Sequence, residues 1–382
     1  MNNKKYNNTK LTISLIETCL SFILLFLFIK FGLNVRLEEF IRNYFSGDYL
    51  VLLLFMFSAG ILSAIIFSPL SFYSGYYLEH KYNLSNQVFS RWVWENFKGA
   101  LVSSVIGIPI LFVFYYMLQQ YGNYWWLPFA VVLFLFSVIL ARVVPVFILP
   151  LFYKIVPIES EALKVRITNL AREAGIKVEN IYKFDMSKNT KKANAAFTGI
   201  GKSKRILLGD TLLNNFSEDE IETVIAHELG HYKKKHIIKN IIYGTAASFL
   251  TLFIVSILYD YTIHWFELKS ILQISALPLL ALWMMIIGLI QTPFGNILSR
   301  KYEYEADEYA IQSTQKASVF ISTLEKLNEQ NLGDREPHPF VEWYFYSHPS
   351  IAKRTKEILK LDKKNNMVDS ESQTSNITQP KL

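Results

Sequence analysis

Long stretches without a charged residue dominate the pattern of this chain. Tyr49 to Leu78 contains no Asp, Glu, Lys or Arg, and the same holds for Gly99 to Ala141 and for Ser270 to Ser299. A helix needs roughly 20 apolar residues to cross the ~30 Å hydrocarbon core of a bilayer. Helices of soluble proteins rarely avoid charge for that long, so we expect these segments to be embedded in a membrane.

This pattern predicts six transmembrane helices. A polar turn at 119–124 divides the second uncharged stretch, and Trp125 and Trp126 beside it fit an aromatic belt at the membrane interface. The first helix follows several lysines, but its long apolar run, Glu17 and the lack of a small-residue cleavage site favour an uncleaved span over a signal peptide. The predicted spans are Leu11–Phe31, Leu50–Ser74, Gly99–Leu118, Trp126–Phe147, Ile241–Tyr259 and Ile271–Gln291.

The distribution of basic residues predicts the orientation of these spans. Lysine and arginine concentrate in the N-terminus, in the 79–98 loop and after Lys154 and Arg300. The positive-inside rule therefore places both termini and both large polar segments in the cytoplasm. Lys233, Lys234, Lys235 and Lys239 lie just before the fifth span, where they would face anionic headgroups. The net charge of +7 therefore needs no nucleic acid to explain it, and the expected partner is the lipid bilayer rather than nucleic acid. The single cysteine, Cys19, excludes intrachain disulfides and multi-cysteine zinc sites.

The polar segments predict a small α+β domain. The local signals are an amphipathic helix over Glu159–Ala174 closed by Gly175, a strand over Val178–Phe184, a hairpin of Asn194–Gly201 with Arg205–Leu208, and a capping box at Ser217–Glu220 that opens a helix. We thus expect a mainly α, polytopic membrane protein of about six helices, with seven as the alternative, and a small α+β domain. The predicted divisions are a membrane domain of four spans (1–153), a soluble segment (154–240), a membrane hairpin (241–299), a C-terminal helical segment (300–361) and a disordered tail (362–382).

The run His227-Glu228-Leu229-Gly230-His231 carries the clearest chemistry. Histidines four apart project from one helix face, so both imidazoles can bind one zinc ion. The glutamate after the first ligand can act as the general base toward the attacking water. A chance pair of surface histidines would also have to supply the cap, the apolar stripe and Gly230, which makes room near the metal.

A catalytic zinc takes three protein ligands, and an acidic run supplies the third. In a helix, Glu303 and Asp307 share one face, and Ala306 is small enough to let another helix approach. Alone, this run would be typical of a solvated helix start. With the histidines upstream, Glu303 is predicted as the third ligand and Asp307 as an acceptor for a ligand imidazole.

Several further motifs accompany the histidine run and the acidic run. In chain order the set is Pro69–Tyr73, Glu79–Gln87, Leu149–Lys154, Asn194-Ala195-Ala196-Phe197-Thr198-Gly199, His227-Glu228-x-x-His231, Glu303-x-x-Ala306-Asp307, His348-Pro349 and Arg354. With these motifs the sequence, from about Leu50 to Arg354, resembles the type I CAAX prenyl proteases, integral-membrane zinc endopeptidases of the a-factor and prelamin A processing class. The resemblance implies that Asn194 and Ala195 align the substrate backbone and that His348 and Arg354 stabilise the oxyanion. By residue type alone, Asn194 would be equally consistent with a turn, and His348 and Arg354 would be interpreted as surface residues. Two departures are the six spans, where eukaryotic members have seven, and Ser350 in place of a second proline.

We therefore expect a zinc metalloendopeptidase with one zinc ion per chain, its site on the cytoplasmic side. The small α+β domain is then zincin-like, and the segments 154–240 and 300–361 are its peptidase segments. The resemblance implies a peptide or protein substrate that is prenylated, with cleavage of its C-terminal tripeptide. An alternative within the peptidases is an HtpX-like quality-control protease, which is shorter and has fewer spans. A metal transporter is a more distant alternative, because it requires ionisable residues inside the spans and only Glu17 and Arg142 come near.

Overall fold

The structure is a computed structural model that describes residues 2–176, 181–198 and 205–377, with side chains described as far as residue 364. Its described residues form mostly helix and one small sheet, which confirms the predicted fold class. The helices are α1 Asn2–Lys30, α2 Leu33–Arg42, α3 Asp48–Phe72, α4 Leu78–Lys81, α5 Phe89–Tyr121, α6 Trp126–Val143, α7 Leu149–Phe152, α8 Glu161–Glu173, α9 Asp210–Asn215, α10 Glu218–Lys233, α11 His236–Thr262, α12 Leu277–Thr314, α13 Ala317–Gln330, α14 Pro339–Phe345 and α15 Ile351–Ile377. The strands are β1 Ile155–Pro157, β2 Ile181–Phe184, β3 Ala195–Thr198 and β4 Arg205–Gly209.

Two compact units divide the chain. The membrane unit comprises Asn8–Val144 and Asn240–Gln291, and the peptidase unit comprises Met1–Asn7, Pro145–Lys239 and Thr292–Leu382. Both therefore combine segments that are distant in sequence. The five divisions predicted along the chain stay a prediction. Helix α15 continues to Ile377, within the segment for which composition predicted disorder.

Six helices among the described residues are long and apolar enough to cross a membrane, which confirms the predicted number. With their short helical extensions they span Asn2–Lys30, Asp48–Lys81, Phe89–Tyr124, Trp126–Phe152, His236–Phe266 and Ile274–Thr314. Large apolar side chains face outward on them; Ile65 is 65% exposed and Val105 66%. Contiguous apolar surface of this kind requires lipid rather than water around it.

The core of the membrane unit is aromatic and aliphatic. Trp125 is buried and packs edge-on against Phe114, with 5.1 Å between ring centroids. Its indole thus packs in the core of this unit. An apolar cavity of about 800 Å³ lies in this unit, lined among others by Phe28, Leu62 and Met284.

The sheet of the peptidase unit has the order β1-β2-β4-β3. β1 pairs with β2 and β3 with β4 in antiparallel fashion, whereas β2 and β4 are parallel. The expected hairpin and the second strand are confirmed where the structure describes them; residues 177–180 and 199–204 of those predictions lie outside the described residues. β3 lies at the edge of the sheet, as strand addition would require.

Apolar side chains of the sheet and of the helices packed on it form the core of this unit. Ile167 of α8, Leu208 of β4, Ile225 and Leu229 of α10, and Phe320 of α13 are each at most 1% exposed. The predicted helix end is also confirmed, since Gly175 follows α8 with a φ of +77°. This core fixes α10 against the sheet and against α13.

Candidate metal centre

Helix α10 presents the histidine pair. The helix begins with the predicted capping box, in which the Ser217 hydroxyl accepts from the Glu220 amide and the Glu220 carboxylate accepts from the Ser217 amide. Its apolar stripe is buried in the core of the peptidase unit. Because His227 and His231 lie four residues apart on the opposite side of that anchored helix, both imidazoles project to the same side.

Helix α12 presents the acidic residues, and it approaches α10 closely. Ala306 is fully buried. A Cβ atom on Gly230 would lie 3.0 Å from the Cα atom and 3.0 Å from the carbonyl oxygen of Ala306. The two small residues therefore let the helix backbones meet. Gly230 makes room for α12, whereas the sequence suggested that it makes room near the metal.

Donor atoms of three residues converge where these helices face each other. His227 Nε2 lies 3.2 Å from His231 Nε2 and 3.5 Å from Glu303 Oε2, and His231 Nε2 lies 3.3 Å from Glu303 Oε1. With bonds of about 2.0–2.1 Å, the ligands of a tetrahedral zinc ion lie roughly 3.3 Å apart. Glu303 Oε2 is buried and accepts no well-aligned hydrogen bond. The donor types and their separations therefore fit a zinc ion.

Asp307 orients the first histidine. His227 Nδ1 lies 2.8 Å from Asp307 Oδ1, so the Nδ1 hydrogen is donated to the carboxylate and Nε2 is the ring nitrogen that faces His231 and Glu303. Arg354 of α15 holds Asp307 in turn, because its Nε and Nη2 donate to Oδ2 and Oδ1 at 2.8 and 2.5 Å. The predicted contact between Asp307 and a ligand imidazole is thus present in the structure.

The charged groups of this cluster interact strongly with one another because they are buried. Burial alone would lower the pKa of His227, but the carboxylates of Asp307 and Glu303 outweigh it and raise the pKa to about 9. Burial would likewise lower the pKa of Arg354, yet Asp307 and Glu303 raise it, which keeps the guanidinium charged. The same carboxylates that hold a proton on metal-free His227 would favour a bound cation.

His348 reaches the cluster from the segment between α14 and α15. Its Nδ1 lies 2.9 Å from Glu303 Oε2, and its side chain is 66% exposed. Buried Glu342 holds this segment by accepting from the Ser350 amide at 3.0 Å. Arg300 holds it from the other side by donating to the Tyr346 carbonyl at 2.6 Å.

The edge strand β3 lies beside α10, since the ring of Phe197 on β3 and the ring of Tyr232 on α10 have centroids 5.1 Å apart. Asn194 is exposed and its carbonyl accepts from the Gly209 amide at 2.9 Å. Antiparallel pairing alternates, so the backbone N–H and C=O of the next residue, Ala195, and then of Phe197, point away from β4. These groups are oriented to pair with an extended peptide.

The predicted site residues thus gather in one unit, with half-buried Glu228 adjoining His227 on α10. One neighbour was not anticipated. His236 begins α11, and its Nδ1 lies 2.9 Å from His231 Nδ1. Residues five apart do not share a helix face, so helix periodicity does not predict this contact.

Comparison with known proteins identifies the family. Residues 157–362 match peptidase family M48, and residues 1–154 match the N-terminal region of CAAX prenyl proteases, described as five membrane helices. The chain belongs to peptidase family M48. This M48 chain is an integral, multi-pass membrane metalloprotease that hydrolyses peptide bonds.

Its relatives include bacterial and eukaryotic proteins. It is 31% identical to the uncharacterized metalloprotease YhfN of Bacillus subtilis, over 92% of this chain and 83% of that one. It is 32% identical to CAAX prenyl protease 1 of Saccharomyces cerevisiae, over 77% of this chain and 68% of that one. The crystal structure of S. mikatae Ste24p aligns with a TM-score of 0.84 at 27% identity, over 94% and 88% of the two chains. These matches agree with the resemblance that the motifs indicated.

Proposed function

We propose that this protease uses one zinc ion, held by His227, His231 and Glu303, to cleave near the C-terminus of prenylated CAAX-type peptides. The observation that carries the metal assignment is the set of separations between the donor atoms of these three residues, 3.2 to 3.5 Å. The substrate class is supported by the relatives named CAAX prenyl protease 1.

A zinc ion in this position would polarise the scissile carbonyl and make the attacking water more acidic. Glu228 follows His227 on α10 and is half-buried, so its carboxylate can accept the proton of that water. The same carboxyl group then delivers the proton to the leaving amine. Asp307 keeps the His227 ring oriented through the whole reaction.

His348 is the donor we assign to the developing oxyanion. Its side chain is largely exposed while Nδ1 lies beside Glu303, so it can turn toward a substrate carbonyl without breaking a buried network. The contacts of Arg354 favour a different role: two of its donors are engaged by Asp307 and it is buried. It fixes the carboxylate that orients His227.

Peptide alignment is assigned to the outer edge of β3. The backbone groups of Ala195 and Phe197 would pair with the substrate as a further antiparallel strand, with Asn194 at the start of that edge. The apolar cavity of the membrane unit offers lining chemistry that suits an isoprenoid chain. The distribution of basic residues supports a cytoplasmic location for both termini and for the metal site.

The test is cleavage of matched prenylated and unprenylated peptides by purified protein, with bound zinc measured in parallel. Glu228→Ala should retain zinc and lose cleavage, while Glu222→Ala on the same helix should retain both. Glu303→Ala should lose zinc, whereas Glu308→Ala should not. Undiminished cleavage by Glu228→Ala would remove it as the base. Equal cleavage of unprenylated peptides would contradict the CAAX assignment and favour a quality-control protease.

A further inference from the structure

His236 and Glu305 form a second chain of contacts behind the metal ligands. His236 Nδ1 lies 2.9 Å from His231 Nδ1, and His236 Nε2 lies 2.9 Å from Glu305 Oε2. His236 is 2% exposed, and its ring stacks on Tyr302 with 4.1 Å between centroids and an interplanar angle of 11°. The ring therefore sits in a fixed orientation between a ligand histidine and a carboxylate.

The break between α10 and α11 produces this arrangement. Lys235 adopts a φ of +58° between the end of α10 and the start of α11, and its amide donates to the Tyr232 carbonyl at 2.9 Å. This left-handed residue ends one helix and redirects the chain. As a result His236 lies next to His231, although residues five apart on a continuous helix would point in different directions.

Hydrogen positions follow from the contacts once His231 Nε2 is a ligand. That nitrogen must keep its lone pair free, so the neutral ring carries its hydrogen on Nδ1 and donates it to His236 Nδ1. His236 then carries its own hydrogen on Nε2 and donates it to Glu305. The reverse assignment would put a hydrogen on His231 Nε2, which faces Glu303 at 3.3 Å, and would block metal binding.

Glu305 is itself held by cations. Its Oε2 lies 3.5 Å from Lys239 Nζ, and its Oε1 lies 3.9 Å from Lys301 Nζ. These contacts hold the Glu305 carboxylate in place, where it accepts the hydrogen of His236 Nε2. Each of the two N–H groups thus has an acceptor: His236 Nδ1 accepts from His231, and Glu305 accepts from His236.

We infer that His236 and Glu305 are positioning residues that fix the tautomer and orientation of His231 as a metal ligand, as Asp307 does for His227. The inference rests on the metal site of the proposed function. It does not depend on the substrate. Loss of such an outer contact typically weakens metal binding by about 10- to 100-fold.

The experiment is competition for zinc between purified protein and a chromophoric chelator, combined with the visible absorption of the cobalt-substituted protein. His236→Leu should weaken zinc binding by about 10- to 100-fold and change the cobalt spectrum. His236→Asn should restore most of the affinity, because its amide oxygen can accept from His231 Nδ1. His264→Leu, at an exposed histidine outside the peptidase unit, serves as the matched control and should bind zinc like the parent.

Glu305→Ala provides a second variant in case His236→Leu does not fold, with Glu308→Ala as its control. It should weaken zinc binding about tenfold. Parental zinc affinity in His236→Leu or in Glu305→Ala, or affinity in His236→Asn as low as in His236→Leu, would overturn the inference. If the parent protein binds zinc but does not cleave prenylated peptides, only the proposed substrate is contradicted. If the parent protein does not bind zinc, both the proposed function and the role of His236 and Glu305 are overturned.

Discussion

Replacing Gly230 with alanine tests how closely α10 and α12 must pack for the metal ligands to meet. The new Cβ would lie 3.0 Å from the Cα atom of Ala306 and 3.1 Å from the Cβ atom of Tyr309. Both neighbours belong to the backbone or lie directly on it, so no flexible side chain can move aside. The helices must separate by a few tenths of an ångström to restore an ordinary contact distance.

The expected effect on stability is small, because two terms oppose each other. Alanine favours a helix interior over glycine by about 1 kcal/mol. Overpacking typically costs about 1–3 kcal/mol. Metal binding should respond more strongly, because Glu303 lies only three residues before Ala306 on α12. Metal–ligand distances tolerate about 0.2 Å, so we expect zinc affinity to fall by at least about tenfold.

Chelator competition and thermal unfolding of the metal-free protein measure the two effects separately. Gly244→Ala is the matched control, since its Cβ would meet no atom within 4 Å and it too is a glycine within a helix. Unlike Gly244→Ala, Gly230→Ala should weaken zinc binding while the unfolding temperature of the metal-free protein stays nearly unchanged. Parental zinc affinity in Gly230→Ala would refute this expectation, because the helix separation would then not set the ligand geometry.

Three further substitutions address the surroundings of the site. Glu342→Ala should lower kcat roughly tenfold while zinc affinity stays near the parent's, because buried Glu342 holds the segment that carries His348; steady-state kinetics beside zinc titration measures this. Asn331→Ala removes both side-chain hydrogen bonds to the Ala193 backbone, just before β3, and should raise KM for the peptide several-fold; an unchanged KM would argue against β3 as the docking strand. Arg354→Gln leaves buried carboxylates uncompensated and should cost about 3–5 kcal/mol in the metal-free protein, partly recovered by zinc; parental thermal stability with reduced kcat would instead indicate an oxyanion role.

The membrane spans could be predicted because their signal is local. A helix that crosses lipid satisfies its backbone internally, so the absence of charge over about 20 residues is sufficient evidence. The burial of Trp125 could not be predicted in this way, because whether an aromatic residue faces lipid or another helix depends on packing between distant segments.

The site was predictable to the extent that helix periodicity and chemistry determine it. Four-residue spacing places His227 with His231 and Glu303 with Asp307, and zinc chemistry requires that the two pairs meet. The parallel pairing of β2 with β4 has no local signature, and neither does the turn at Lys235 that returns His236 to the site. Both depend on where the chain goes between elements.

The position of Arg354 gives a physical reason for distinguishing Glu303 from Asp307, which are equally acidic and one helical turn apart. Both carboxylates are buried, at 4% and 2% exposure. Arg354 donates two hydrogen bonds to Asp307, whereas its nearest nitrogen lies 3.6 Å from Glu303. The guanidinium therefore compensates Asp307 and leaves the charge on Glu303 facing three imidazole nitrogens, those of His227, His231 and His348. A buried carboxylate in that setting gains most from a divalent cation, which supports Glu303, the acidic residue that the arginine does not satisfy, as the proposed ligand.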